Sequence, residues 1–79
     1  MEELVKYIVE SLVDDKEAVT INVVEESAKV SVLTVLVNKD DIGKVIGRNG
    51  RIASSIRTIV KSASMGTGKR FIVKIGERE

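Results

Sequence analysis

Two glycines three residues apart interrupt a helical pattern in the middle of the chain. Gly47-Arg48-Asn49-Gly50 lies between an apolar stretch that ends at Ile46 and a helical pattern that begins at Arg51. Glycine adopts backbone angles that other residues avoid. A tight turn that opens into a helix presents unpaired backbone N–H groups, which favour phosphate. The segment therefore predicts two helices joined by a short anion-binding loop; the alternative is a plain helix-turn-helix in which the glycines serve the turn alone.

The rest of the chain alternates between helical and extended patterns. The spacing of apolar residues predicts three helices: residues 3–13, a short helix that ends at Ile46, and residues 51–65. Segments rich in β-branched residues predict three strands, at 18–25, 30–37 and 70–75. Asp40 or Asp41 is placed to cap the second helix, and Gly66 to end the third as a left-handed cap. The residues expected to face the core include Val19, Ile21 and Val23 of the first strand and Ile52, Ile56, Ile59, Val60 and Ala63 of the third helix.

The lengths of the connections predict the topology. The first two strands are joined by a short connection, which favours an antiparallel hairpin, and the apolar second strand is expected at the centre of the sheet. A helical crossover of about 30 residues then leads to a third strand parallel to the second. We therefore expect an α+β fold in the order α-β-β-α-α-β, with three helices on one face of a three-stranded mixed sheet and one domain over residues 1–79.

The composition excludes several classes of function. The 79 residues contain no Cys, His or Pro, which removes the usual zinc ligands and the Ser-His and Cys-His nucleophile pairs. Gly66-Thr67-Gly68-Lys69 lacks the spacing of a nucleotide-binding loop and is interpreted as a turn. Asp14, Asp15 and Glu17 are interpreted as a solvated helix end rather than a cation site. We predict no metal, no cofactor and no enzymatic activity. No stretch is typical of a membrane span or signal peptide, so the expected location is the cytoplasm.

The net charge of +1 conceals an uneven distribution. Residues 1–37 contain three basic and eight acidic residues, a net charge of −5, whereas 38–79 contain ten basic and four acidic residues, a net charge of +6. Between Ile42 and Gly76 there are eight basic residues and no acidic one. This asymmetry indicates a polyanionic partner for one side of the molecule.

The glycine turn and its surroundings resemble a KH domain. Val45-Ile46-Gly47-Arg48-Asn49-Gly50 matches the Ile-Gly-x-x-Gly core of these single-stranded nucleic-acid modules, and the predicted order of elements looks like their type II arrangement. Because one such domain occupies the whole chain, the sequence is similar to the KhpA family of small stand-alone bacterial KH proteins. The stretch from Ile42 to Ile52, followed by Ile56-Arg57-Thr58 and Lys69-Arg70, carries that similarity.

The resemblance implies binding of single-stranded RNA without catalysis, with single-stranded DNA left open as a ligand. It implies a loop that clamps the backbone of about four nucleotides, and bases in a groove between the two helices and the neighbouring sheet edge. It further implies an RNA-chaperone-type regulator that acts as a homodimer or with a KhpB (Jag)-type partner. The candidate RNA-binding residues are Lys44, Val45, Ile46, Gly47, Arg48, Asn49, Gly50, Arg51, Ser54, Arg57, Lys69 and Arg70. Val45, Ile46, Ile52 and the second strand are the candidates for an apolar groove floor.

Some basic residues have two interpretations. Arg57 and Lys61 either form a solvated helix face or extend the RNA path. Lys69, Arg70 and Lys74 either protect a sheet edge from pairing with other chains or add to the groove.

The aromatic content limits how bases can be held. Tyr7 and Phe71 are the only aromatic residues, with Tyr7 on an acidic helix and Phe71 on the core face of its strand. Base stacking is therefore expected to be absent, and binding to be weak, sensitive to salt and poorly selective. The alternative function is a dimerisation subunit with little RNA affinity alone, whose interface is first expected on the exposed side of the third helix.

Overall fold

The helices and strands follow one another in the predicted order. The computed structural model describes residues 1–78, which form α1 (Glu2–Glu10), β1 (Thr20–Ser27), β2 (Val30–Val37), α2 (Ile42–Ile46), α3 (Arg51–Ser64) and β3 (Arg70–Glu77). Short 3-10 turns occupy Lys16–Ala18, Lys39–Asp41 and Arg48–Gly50. No helix of this part of the chain is long and apolar enough to cross a membrane.

The sheet has the predicted mixed topology, with β2 at its centre. β1 pairs with β2 antiparallel, and β2 pairs with β3 in parallel from Val30↔Arg70 to Val37↔Glu77. β1 and β3 are therefore the two edges. α2 and α3 form the crossover between β2 and β3, and this connection places the glycine turn beside the β3 edge of the sheet.

The core lies between one face of the sheet and the three helices. Leu33, Val35 and Val37 of β2 are almost fully buried and pack with residues of every helix, namely Val5 and Val9 of α1, Val45 of α2, and Ile56 and Val60 of α3. Burying one such side chain contributes about 1.5–3 kcal/mol. The central strand thus fixes the two helices that carry the turn.

The bounds of α1, β1 and β3 differ from the prediction by two or three residues, and β3 ends at Glu77 rather than 75. α1 ends at Glu10 rather than 13, because the chain tightens into a turn in which the N–H groups of Leu12 and Val13 both donate to the Val9 carbonyl, over 3.0 and 3.2 Å. β1 begins at Thr20 rather than 18, because Lys16–Ala18 forms a 3-10 turn. It extends to Ser27 because a bulge at Glu25/Ser27 keeps the hairpin paired.

The predicted core faces need three corrections. Ile59 and Ala63 are exposed, and Ala53 is buried in their place, because the buried residues of α3 follow a narrower stripe of Ala53, Ile56 and Val60. Val23 pairs with Leu33 and so points to the helix-facing side, but it is exposed because the helices leave the distal end of β1 uncovered.

The predicted cap of α2 is confirmed in position only, because Asp41 is the N-cap residue but its side chain makes no capping hydrogen bond. The side chain of Asn38 accepts a hydrogen bond from the Asp40 N–H over 2.9 Å, and neither Asp40 nor Asp41 caps α2 with its side chain. Gly66 does have the predicted positive φ, at 88°, but an extended Met65 separates it from the end of α3.

Candidate nucleic-acid interface

The turn between α2 and α3 is built from left-handed backbone conformations. Gly47, Asn49 and Gly50 have φ values of 75°, 58° and 73°. The Gly47 N–H donates to the Gly43 carbonyl over 2.9 Å, which closes α2, and the Gly50 N–H donates to the Gly47 carbonyl over 3.2 Å. The backbone therefore reverses within four residues, and the exposed side chains of Arg48 and Asn49 lie at its tip.

Gly47 is also constrained by packing. A Cβ at this position would lie 2.6 Å from Cγ1 of Ile52, whereas a Cβ at Gly50 would meet no atom within 4 Å. Ile52 thus fills the space beneath Gly47, and this contact sets the angle at which α2 meets α3.

The first turn of α3 carries a positively charged side chain, whereas the first turn of most helices favours negatively charged ones. Acidic residues normally favour the first helical turn, but α3 has none there and begins with Arg51. Its N-cap, Gly50, supplies no side-chain hydrogen bond, so the first backbone N–H groups have no side-chain partner from the cap. Within residues 1–78 the three ion pairs involve Lys44 and Lys69, which leaves Arg48 and Arg51 without a carboxylate partner there. The turn therefore combines N–H donors with unpaired positive charge, which suits a phosphate.

A groove of about 640 Å³ runs between α3 and the free edge of β3. Nε of Arg57 crosses from α3 to donate to the Val73 carbonyl over 3.2 Å. The walls combine positive charge with apolar surface, and include Arg57, Lys61, Met65, Lys69, Arg70, Phe71, Ile72 and Val73. Such a groove can hold an anionic backbone along its charged side chains while apolar side chains contact the bases.

The structure brings most of the predicted site residues to one side of the molecule. Arg48, Asn49, Arg51 and Ser54 are exposed on the turn and the first turns of α3. Ile46, at the end of α2, is 38% exposed beside them. The groove between α3 and β3 then collects the more distant predictions, Arg57, Lys69 and Arg70. Lys69 forms an ion pair with Glu25 over 3.2 Å.

The predicted groove floor needs correction. Val45 is fully buried in the core, so it is closed to a ligand in this conformation. β2 is the central strand, and the sheet edge beside the groove belongs to β3. Of the predicted apolar residues, Ile46 and the half-buried Ile52 keep accessible surface near the turn.

Lys44 points away from the turn. Its ammonium group forms ion pairs with Asp14 and with Asp41, the latter over 3.0 Å. The buried Asp41 carboxylate also accepts a hydrogen bond from the Asp15 N–H over 3.0 Å. These contacts join the chain after α1 to α2, and they give Lys44 a structural partner instead of a free charge.

The same contacts shift both pKa values. The Asp15 N–H, followed by the Lys44 ammonium group, holds the pKa of Asp41 below its ordinary value. The Asp14 carboxylate, followed by that of Asp41, raises the pKa of Lys44. Both shifts favour the charged forms, so the network is ionised in the folded protein near neutral pH.

Several side chains of the groove were absent from the list of candidate RNA-binding residues, although Lys61 had been considered as an extension of the RNA path. Lys61 and Met65 line it from the end of α3, and Phe71 lines it from β3. The pattern of β3 places Phe71 on the core face, and the register with Ser31 confirms that face. Because β3 is an edge strand, Phe71 is nevertheless only half-buried. The position of the last strand at the sheet edge is the signal that could have identified it.

The fold and this turn define a class of protein. A mixed three-stranded sheet in the order α-β-β-α-α-β, with a Gly-x-x-Gly turn between the two crossover helices, is consistent with a KH domain of the type II arrangement.

Comparison with known proteins narrows the class. The model of the KhpA/KhpB KH domain matches residues 2–75. The chain is 48% identical over 75 residues to the RNA-binding protein KhpA of Oceanobacillus iheyensis, which covers 95% of this chain and 99% of the relative. The KhpA proteins of Clostridium perfringens and Aquifex aeolicus are 48% and 35% identical over 77 residues, covering 95% and 98% of this chain and 99% and 96% of their own. No solved structure gave a significant match. The chain belongs to the KhpA/KhpB KH-domain family.

Proposed function

We propose that this chain is a non-catalytic RNA-binding protein that holds single-stranded RNA at the Gly47–Gly50 turn. The observation that carries the proposal is the exposed left-handed turn at the start of α3, flanked by Arg48 and Arg51 without carboxylate partners in the described chain. The family membership and the name of the relatives, RNA-binding protein KhpA, support it.

The proposed RNA path has two parts. Arg48, Asn49 and Arg51 contact phosphates and sugars at the turn, with Ser54 on the next helical turn. The following nucleotides lie in the groove between α3 and β3, where Arg57 and Arg70 provide positive charge and Lys69 lies beside them in its ion pair with Glu25. The half-exposed ring of Phe71 offers a contact surface for one base, which was not expected from the composition. Phosphate contacts position a ligand without reading its sequence, so this mode suits an RNA-chaperone-type regulator that acts on many cytoplasmic RNAs.

The test of this function is a double substitution at the tip of the turn. Arg48→Asp with Asn49→Asp should abolish binding of a short unstructured RNA, measured by fluorescence anisotropy, because two carboxylates replace groups that face phosphate. Both side chains are exposed, so circular dichroism and the melting temperature should stay close to wild type.

A charge-matched control separates the turn from general electrostatics. Lys6→Asp with Lys16→Gln makes the same change in net charge on the acidic side of the molecule and should retain binding. Normal RNA binding by the folded turn variant would refute the assignment, and so would an unfolded variant.

A second function is favoured by the exposed side of α3. Ile59 is 44% exposed, and its neighbours along that side are the small residues Ser55, Ser62 and Ala63, all exposed. Small residues around an exposed isoleucine allow a second helix to approach closely. We propose this side as the contact for a homodimer or for a KhpB (Jag)-type partner, which would increase RNA avidity.

The dimer proposal is tested by Ile59→Asp in analytical ultracentrifugation. The expected result is a folded monomer that still binds a short RNA through the turn. A wild-type chain that is monomeric at high concentration would exclude the homodimer, and loss of all RNA binding by a folded Ile59→Asp monomer would favour the dimerisation function over RNA binding by the single chain.

A further inference from the structure

The face of the sheet opposite the helices is not covered by any element of residues 1–78. The register places Val24, Val32 and Ile72 in one cross-strand row on this face, and Asn22, Thr34 and Lys74 in the next. Val24 is 56% exposed, while Val32 in the centre of the row is 6% exposed because its two neighbours shield it. The open face therefore has an apolar row beside a polar one.

The β3 side of this open face is positively charged. Side chains alternate along β3, so Arg70, Ile72 and Lys74 lie on the open face while Phe71 and Val73 lie on the helix-facing side. Arg70 and Lys74 are exposed, and within the described chain neither forms an ion pair. β2 has no acidic residue, and the β3 carboxylate described in the structure, Glu77, pairs with Val37 on the other face.

The open face is continuous with the groove. The groove between α3 and β3 is lined by Phe71 and Val73 from one side of the strand and by Arg70 and Ile72 from the other. A strand of RNA that leaves the groove across this edge therefore meets Ile72 first and Lys74 one pleat later. Because β3 is an edge, no further strand blocks that route.

From this arrangement we propose that the open face of the sheet is a second contact surface for single-stranded RNA, entered across the β3 edge. Arg70 and Lys74 bind phosphates, and the row of Ile72 and Val32 contacts a base. The proposal rests on the proposed function of the turn and extends its RNA path. Arg70 and Lys74 form no ion pair within the described chain, and two cations spaced along one strand favour a polyanion, because RNA supplies regularly spaced phosphates to both.

The spacing along β3 predicts a dependence on RNA length. Four residues of a strand span about 13 Å, so Arg70 and Lys74 contact different nucleotides. An RNA of about four nucleotides is what a KH turn and groove hold, so under this proposal it stays on the helix-facing side of β3 and does not cross the edge to Lys74. A longer RNA reaches it.

The experiment compares labelled oligouridylates of about four and about ten nucleotides by fluorescence anisotropy. Lys74→Glu should leave the Kd of the short RNA within about twofold and raise that of the long RNA about fivefold or more, with the salt slope of the long RNA reduced by about 1. Lys6→Glu, which makes the same charge change on α1, is the matched control and should affect both RNAs equally and weakly.

The outcomes separate this surface from the turn. An unchanged long-RNA Kd in folded Lys74→Glu, or equal weakening of both RNAs, would overturn the second surface and leave the open face to a protein partner. If binding of the long RNA depends on Lys74 but not on Arg48 and Asn49, the second surface would be supported and the proposed role of the Gly47–Gly50 turn in RNA binding would be refuted. Wild-type protein that binds neither RNA would refute both.

Discussion

Gly47 and Gly50 both have a positive φ but differ in ψ and in their surroundings: ψ is 15° at Gly50, in the left-handed helical region, and 174° at Gly47, in a region that essentially only glycine adopts. At Gly50 the positive φ alone disfavours another residue, whereas at Gly47 the side chain of Ile52 also occupies the space where a Cβ would lie. The two glycines of the motif therefore have different structural roles. Gly50 permits the turn, and Gly47 in addition permits the packing of α2 on α3.

This difference predicts unequal effects of alanine. Gly50→Ala should cost about 1–2 kcal/mol, the usual cost of a left-handed L-residue. Gly47→Ala should cost about 1–3 kcal/mol more, because the new methyl group overpacks against Ile52. Urea denaturation of the two variants measures both values. Equal destabilisation would show that the Ile52 side chain moves aside freely.

The Asp41 and Lys44 pair predicts a pH dependence of stability. The pKa of Asp41 is lowered, so its stabilising contribution is complete above the ordinary value of 3.8 and is lost as the pH falls through the lower folded value. The pKa of Lys44 is raised, so its contribution is complete below 10.5 and is lost as the pH rises through the higher folded value. Stability from this pair is therefore constant across neutral pH.

Asp41→Asn removes the acidic part of that dependence. The melting temperature of the variant should be lower than that of wild type near pH 7, and it should fall less steeply between about pH 5 and pH 3. Asp40→Asn, on the exposed neighbouring residue, is the control and should behave as wild type. A variant with the full acid sensitivity of the wild type would show that other carboxylates determine it.

Single residues were predicted well where geometry is local. The two glycines follow from a motif of four residues, and their positive φ values agree with it. Val45 was assigned to the groove because α2 has only five residues, too few for periodicity to separate its buried side from its exposed side. The partner of Lys44 was missed because Asp14 is distant in sequence and approaches only in the folded chain.

α3 illustrates the same limit at the scale of an element. Its start at Arg51 was predicted correctly, and its end at Ser64 differs by one residue from the prediction. Ile56 and Ile59 both fit a broad apolar stripe, yet one is buried and the other exposed. The width of the buried stripe depends on how closely the sheet approaches the helix. The spacing of apolar residues along the sequence carries no information about that distance.

Alanine substitutions on α3 test this difference. Ile56→Ala should destabilise the protein by about 2–5 kcal/mol, because it leaves a cavity in the core. Ile59→Ala on the same helix is the matched control and should change stability by about 0.5 kcal/mol or less in the monomer. Similar values for the two variants in urea denaturation would place Ile59 in a buried interface.

The charge asymmetry of the whole molecule follows the fold. The acidic residues belong mainly to α1, β1 and the turn between them, whereas the acid-free segment 42–76 comprises α2, α3 and most of β3. The two halves of the sequence thus become two sides of the molecule. The acidic side repels RNA while the basic side attracts it, so the ligand is oriented before contact.

The salt dependence of the RNA-binding constant measures how many phosphates the basic side of the molecule neutralises. If about three phosphates are neutralised, the logarithm of the binding constant should fall with the logarithm of salt concentration with a slope of about −2, which corresponds to a rise in Kd of about 15- to 20-fold between 50 and 200 mM salt. Arg48→Ala should reduce the slope by about 0.7. A slope near zero in anisotropy titrations would exclude a mechanism based on phosphate contacts.

The topology was predictable because connection lengths restrict it strongly. The short connection predicted between residues 25 and 30, which has two residues in the structure, favours the hairpin, and a helical crossover favours a parallel partner for β2. The second strand was a candidate for the groove floor, and Lys69, Arg70 and Lys74, on or near the last strand, were expected at a sheet edge or in the groove. In the structure β3 supplies the strand side of the groove, because β2 is paired on both sides.

The topology also determines when the proposed RNA surface forms during folding. β1 and β2 are joined by Ala28 and Lys29, so the hairpin assembles from neighbouring residues. Pairing of β2 with β3 must close the segment 38–69, and such distant parallel pairing forms slowly. The glycine turn lies within that segment, and β3 forms the wall of the groove. A nascent chain that has not yet released β3 therefore has no groove, so a ligand at this proposed site could bind only after folding is complete.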